Sequence, residues 1–399
     1  MKSHRLWRRL PTVLAPLLLV AISGCDEEFA AWRSTNQSRF ERTVTRQIAL
    51  GGRDTLDVST RSGSIAVTGA DAADCNLEAR IVARAPTEQE AEELAEQVEI
   101  LGEAAGSTLK TRSREPTLTN NRSISVSYTI SIPRQMNVRC DSSYGSLDMS
   151  GIEGRLDGKS GNGSIKVHDI QGPAKLDTGY GAIECRNVAG QSISLRSNNG
   201  SITAAGLRGS TTAETSYGAI TCDEFSDGDL RLKSGNGRIR ISGASFGVCD
   251  IRSSYGAITA ENLQGDSIDL HSGNGSVELT GAQARKLNAS SSYGRVTATQ
   301  VAVADITAVS GNGSIKVLCA DAAPADLAAQ VRSSYGGVEF AAPPAFSGNV
   351  CLSTSYGSIH TARPITTSGE ITKKKITGKI GDGAGTIRLE SGNGSVELK

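Results

Sequence analysis

The chain has 399 residues, with 42 basic and 42 acidic side chains, 45 glycines and only 4% aromatic residues. That balance leaves no basic excess for a nucleic-acid partner, and too few large apolar side chains for one thick globular core. It suits many short strands joined by tight turns.

Four basic residues, Lys2, Arg5, Arg8 and Arg9, precede an apolar run from Leu10 to Ile22, the layout of an export signal and too short to stay across a bilayer. The run ends Ile22-Ser23-Gly24-Cys25, which resembles the lipobox of bacterial lipoproteins. The resemblance implies cleavage before Cys25, acylation of its thiol, and a chain tied through that lipid to a membrane of the bacterial cell envelope. Residues 1–24 are then the signal peptide, and residues 25–37 the lipidated Cys and a polar tether. Losing the four basic signal residues leaves 38 basic against 42 acidic, a net charge of about −4. Seven cysteines remain, so complete disulfide pairing is impossible.

Residues 38–136 read as lead-in strands with one helix. Thr43 to Ile48, Thr55 to Val58 and Ile124 to Ile132 alternate as half-buried strands do, and Ser62-Gly63-Ser64-Ile65 is an early copy of a phrase that later dominates. Thr87 and Glu90 form a capping-box pattern after Pro86, and Ala91, Leu94, Ala95, Val98 and Leu101 follow the helical period. The narrow apolar stripe predicts a helix lying against a sheet. Its glutamates, Glu88, Glu90, Glu92, Glu93 and Glu96, complement the helix dipole and solvate the outer face rather than hold a cation.

From residue 137 to 399 the turn phrases Ser-Tyr-Gly and Ser-Gly-Asn-Gly recur, mostly 18 or 19 residues apart. A fixed period of this length marks a solenoid. Two residues after the turn glycine stand Leu147, Ile165, Ile183, Ile202 and their counterparts to Val396, with a further apolar residue four after it and others five and seven before it. Period-two alternation on both arms of a turn gives one coil of two or three short strands, its inner side chains stacked on those of the next coil about 4.8 Å away. Three residues before the glycine every coil carries Ser or Thr, on the inward parity, expected to bond neighbouring turn backbone and each other. The glycine itself is expected to supply a positive φ.

Outward charges alternate from coil to coil: Asp141, Lys159, Asp177, Arg196, Glu214 and Lys233 in one row. Such a row sets strand register rather than a polyanion site. Cys140, Cys185, Cys222 and Cys249 fall in inner slots and read as small buried hydrophobes. His168, His271 and His360 sit in different coils at different places, so neither a metal site, a cofactor nor a Ser/His/Asp constellation is expected.

Aligned by coil, Tyr144, Tyr180, Tyr217, Tyr255 and Tyr293 alternate with Asn162, Asn199, Asn236, Asn274 and Asn312, so the unit is two coils, about 37 or 38 residues. Tyr335 and Tyr356 extend the row. Gly161, Gly235, Gly273 and Gly311 beside the tyrosines leave room for each ring to cover backbone, which favours packing; an exposed aromatic, glycan-binding ladder is the alternative.

The lead-in strands and helix, Ser131-Ile132-Pro133, the Ser-Tyr-Gly and Gly-Asn-Gly coils, and the close from Lys379-Ile380-Gly381-Asp382-Gly383 to Gly392-Asn393-Gly394-Ser395-Val396 resemble the bacterial putative-adhesin β-strand-repeat family, a domain of unknown function. The resemblance covers nearly all of residues 40–399. It implies an all-β, right-handed, single-stranded β-helix-like solenoid at the cell envelope, with one short N-terminal helix. Residues 363–379 depart from the coil period. Three functions fit: a non-enzymatic adhesin or surface scaffold, which is preferred; a polysaccharide-binding or polysaccharide-cleaving β-helix; and a scaffold that self-associates through exposed solenoid ends.

Overall fold

A computed structural model describes residues 37–119, 121–368 and 372–399. The expected signal, Cys25 and nearly all of the tether lie outside these residues. The rest is a β-solenoid with roughly 19-residue spacing and one helix. The spacing is what makes the coils stack. Strands Ile239–Ser253, Ile258–Ser272, Val277–Ser291 and Val296–Ser310 pair in parallel, Ile239 beside Ile258, then Val277, then Val296. A one-residue slip would turn every inner side chain to solvent, so the apolar period enforces this register. The inner column is shut off from solvent: Ile239, Ile258, Val277, Val296 and Ile315 are all buried. Each fully buried Leu or Ile contributes roughly 1.5–3 kcal/mol by leaving water, which is how a narrow tube offsets its ordering entropy.

The stack begins inside the lead-in. Strand Thr55–Ser62 pairs with Asn137–Tyr144, and Ile65–Ala70 with Leu147–Ser150, so residues 55–70 form a coil directly under the array. Its other side is covered by Thr108–Arg114 and by Ser123–Pro133. Antiparallel strands complete the cap: Glu99–Ala105 on the first, Cys75–Ala85 and then Ser38–Ile48 on the second. The helix Glu88–Glu96 starts as expected, with the Thr87 hydroxyl accepting from Glu90 N–H at 3.2 Å, and buries Ala91 and Ala95. Arg42, on the outermost cap strand, donates to the Ala95 carbonyl, which fixes the helix against the sheet. The helix is shorter than its apolar period implied. It ends at Gln97, and Leu101 belongs to the strand Glu99–Ala105, because Ile100 and Leu101 find partners across the sheet in Ser113 and Arg112.

The other end is not stacked in chain order. Residues 385–398 slide between the coil of residues 328–341 and that of 348–361. Strand Gly385–Ser391 pairs in parallel with Ala328–Ser333 on one side and Gly348–Thr354 on the other, and Val396–Leu398 lies between Val338–Ala341 and Ile359–Thr361. The departure from period at 363–379 is the excursion that permits this. It covers Gly348–Thr354 with the antiparallel strand Lys375–Ile380 before the chain turns back into the stack.

The turn glycines serve a purpose other than the one expected. Their φ values are not positive. Instead, a Cβ on Gly163 would sit 1.9 Å from the Gly145 carbonyl oxygen, and on Gly237 1.8 Å from that of Gly218. Successive turns pack backbone against backbone, and only a residue without a side chain fits. Positive φ occurs at another corner, six residues on: Gly151, Gly206, Gly243 and Gly281, but also Asp169, Asn187, Glu224, Asn262 and Gln300. Left-handed backbone costs a residue with a Cβ roughly 1–2 kcal/mol, partly offset for glycine by its freer unfolded chain. Glu224→Gly is therefore expected to stabilise the protein by about 0.5–1 kcal/mol, read as a higher urea midpoint. An unchanged or lower midpoint would refute this account of the corner.

Candidate functional site

The turn edge is built by a hydrogen-bond chain running along the solenoid. In each coil from Ser160 onward the inward Ser or Thr accepts from the N–H of its own turn glycine and donates to the turn-glycine carbonyl of the coil before: Ser160 to Gly145 at 2.9 Å and from Gly163 at 2.8 Å, Ser272 to Gly256 and from Gly275 at 2.9 Å. The hydroxyls do not bond one another as anticipated. Stacked coils hold them about 4.8 Å apart, beyond hydrogen-bond reach. The chain follows the spatial order of coils through the insertion: Ser391 donates to Gly336, and Thr354 to Gly394.

Backbone bonds carry the same order through the turn tips. Tyr217 N–H donates to Asn198, Asn236 to Ser216, Tyr255 to Gly235, and Asn274 to Ser254, at 3.0–3.1 Å. The tyrosine and asparagine backbones are thereby held in one file. Tyr144, Tyr180, Tyr217, Tyr255, Tyr293, Tyr335 and Tyr356 all stand on it, each 63–81% exposed. The packing reading is thus corrected: the rings do not fold over neighbouring coils. The adjacent glycines answer to backbone instead, since a Cβ on Gly161 or Gly235 would lie 2.4 Å from the carbonyl oxygen of Ser143 or Ser216. The remaining tyrosine, Tyr128, is buried in the N-terminal cap.

The insertion also keeps the alternation. In the sequence Tyr335 and Tyr356 occupy successive coils. In space the Asn393 coil lies between them, with Asn393 N–H bonded to Ser334 and Tyr356 N–H to Gly392. A tyrosine therefore recurs every second coil, about 9.6 Å apart, from Tyr144 to Tyr356.

The flanks are less organised chemically. The register places Asp141, Lys159, Asp177, Arg196, Glu214 and Lys233 side by side, but only Arg196 and Glu214 close to 2.8 Å among the described residues of that row. Lys233 then meets Arg252, ending the alternation. Arg252 pairs within its own strand, with Asp250. Exposed pairs of this kind contribute about 0–1 kcal/mol, so the row biases register without holding the fold. Recesses of about 500 and 530 Å³ lie on the flanks, lined among others by Glu278, Arg295 and Glu339, and by Asn187, Arg208 and Glu224. Neither is lined by a tyrosine. Glu339 is held below the ordinary carboxylate range by the Lys399 ammonium, and Asp169 by hydrogen bonds from His168 and Asn187. Both shifts run opposite to what a general acid needs. Among the described residues no cluster of three or more His, Cys, Asp or Glu is arranged to hold a metal ion.

The seven described cysteines are free. Cys75, Cys140, Cys185, Cys222 and Cys249 are buried; Cys319 and Cys351 are half-buried, Cys351 on the outward parity of its strand. Burial pushes the Cys75 thiol from 9.0 up to about 11 and those of Cys185 and Cys222 to about 12. The folded chain thus keeps protons that the unfolded chain releases above pH 9. Stability from these thiols is complete below that pH and is lost as pH rises toward 12. At pH 8 the buried thiols are expected to resist iodoacetamide until the chain unfolds. Stoichiometric labelling of Cys185 or Cys222 in the folded protein would contradict their burial.

The sequence profile of a family described as Toastrack DUF4097 matches residues 219–399. No curated protein matches. Similar solved structures include a putative cell adhesion protein from Clostridium sporogenes, 10% identical over 90% of this chain and 99% of its own, with a TM-score of 0.17. A putative adhesin from Bacteroides fragilis is 13% identical over 90% and 97%, with a TM-score of 0.19. A putative lipid binding protein from Parabacteroides distasonis is 14% identical over 75% and 94%, with a TM-score of 0.21. Over residues 219–399 the array matches Toastrack DUF4097, and the chain resembles the bacterial putative-adhesin β-strand-repeat family, as its turn phrases indicate.

Proposed function

We propose that this chain is a non-enzymatic, lipid-anchored protein of the bacterial cell envelope whose solenoid presents the tyrosine edge as a repetitive adhesive face. The observation that carries the reading is the exposure of seven tyrosines at every second coil, a phase kept even where the chain leaves sequential stacking. Exposed aromatic rings in a file are costly to leave in water and are typical anchors of binding surfaces. The lipobox at Cys25 supports the anchor, and the antiparallel strands laid on each end favour adhesion along the tyrosine edge over growth from the ends.

Two measurements test the reading. Cys25→Ala is expected to move the protein from the membrane to the soluble fraction, and full-length protein with Tyr217→Ala, Tyr255→Ala and Tyr293→Ala is expected to lose adhesion to whole cells while keeping its circular dichroism. Unchanged membrane retention would remove the anchor from the reading. Unchanged adhesion would remove the face.

A further inference from the structure

Resting on the adhesive reading of the same edge, we infer that its ligand is an extended glycan of alternating β-1,4-linked N-acetylated amino sugars, the backbone chemistry of a bacterial cell wall. The argument begins with period. In an extended β-1,4-linked chain successive sugars are turned by about half a revolution, so like groups return to the same side only at every second sugar. The protein edge has the same symmetry: like side chains return at every second coil, about 9.6 Å apart, close to the advance of one such disaccharide. One sugar then lies over each coil, alternately facing Tyr and Asn.

The chemistry of the two positions differs in a matching way. A tyrosine ring offers a flat apolar face to the axial C–H groups of a sugar, with its hydroxyl free to bond in water. Three of the asparagines are already oriented: Asn162, Asn199 and Asn236 donate Nδ2 to the carbonyls of Ser143, Gly179 and Ser216 in the coil before, at 3.3–3.4 Å. With the amide nitrogen so engaged, Oδ1 is left to accept, which suits the N–H of an acetamido group. The rings stand exposed along the whole file, which offers the interior of a long polymer as many contacts as its length allows. Recognition here is by repetition, each weak sugar contact adding to the next along a preorganised file.

The insertion of residues 385–398 is an independent observation. Stacked in chain order, Tyr335 and Tyr356 would be neighbours, and the disaccharide phase would break there. The Asn393 coil lies between them and the phase runs on.

Detergent-solubilised full-length protein should co-sediment with cell-wall sacculi stripped of their stem peptides, and not with cellulose or starch. Tyr217→Ala with Tyr255→Ala and Tyr293→Ala should weaken retention at least about tenfold, from about three- to tenfold per ring. The decisive variant exchanges positions, Tyr255→Asn with Asn274→Tyr. It keeps the number of rings and amides but breaks the phase, and should weaken retention severalfold with melting temperature unchanged. Equal retention of this variant overturns the inference, as does equal binding to starch, or retention on chitin without retention on sacculi. Loss of all glycan retention while the tyrosine edge still mediates adhesion to cells overturns the ligand and leaves the adhesive face standing.

Discussion

Gly256→Ala is expected to lower the stability of the array by about 3 kcal/mol, an effect usually reserved for deep core positions. The added Cβ would lie 2.0 Å from the Gly237 carbonyl oxygen and 2.4 Å from its carbon, and both are backbone atoms with no rotamer to give. Relief requires moving the Gly256 turn away from that of Gly237, which also stretches the bond from Ser253 to the Gly237 carbonyl. Ala257→Ser, one residue along, is the control. The aligned positions 201 and 276 already carry Ser, so its effect should stay within about 0.5 kcal/mol. Urea unfolding followed by circular dichroism separates the two. A Gly256→Ala midpoint equal to wild type would show that the turns are not packed backbone to backbone.

Deleting residues 385–399 is expected to release the coil of residues 348–361, which precedes them in the chain. Gly348–Thr354 would keep only the antiparallel strand Lys375–Ile380, and Ile359–Thr361 would have no strand partner. In hydrogen exchange, amides 348–361 should then exchange as in unfolded chain, residues 328–341 should lose part of their protection as a new edge, and residues 137–313 should keep theirs. Coupling confined to neighbouring coils is the expected behaviour of a solenoid. Full protection of 348–361 in the truncated chain would mean that the final coil is not a member of the stack.

The solenoid is legible in the sequence because one small set of contacts is repeated. Inward Ile, Leu and Val, the turn glycine and the Ser or Thr before it recur at fixed offsets, so Ile239, Ile258 and Val277 reveal their stacking by alignment alone. Exposure of the tyrosines was not legible. A glycine beside a tyrosine is equally explained by a ring above it or a carbonyl below it, and at Gly161 the carbonyl of Ser143 is the neighbour. The corner at six residues past the turn left a partial trace, Gly151, Asn187, Gly206, Gly243, Asn262 and Gly281, obscured by Glu224 and Gln300, which accept left-handed backbone without favouring it. The insertion of the final coil had the faintest signal. Parallel coils with the same phrase are interchangeable neighbours, and only the adjacency of Tyr335 and Tyr356, with Asn393 left unmatched at the end, hints that chain order and spatial order part company.

The two-coil unit makes the molecule a ruler with a defined smallest division. Duplicating residues 217–254, from one tyrosine to just before the next, adds a segment whose ends present the same turn, hydroxyl and inner side chains as the surfaces they meet. The array would lengthen by about 9.6 Å without disturbing either cap. Adding a single coil would instead set two tyrosines or two asparagines side by side and shift everything beyond by half a division. Length in this architecture is therefore adjustable only in even steps, and a family of such chains of different reach can be written by copying one stretch.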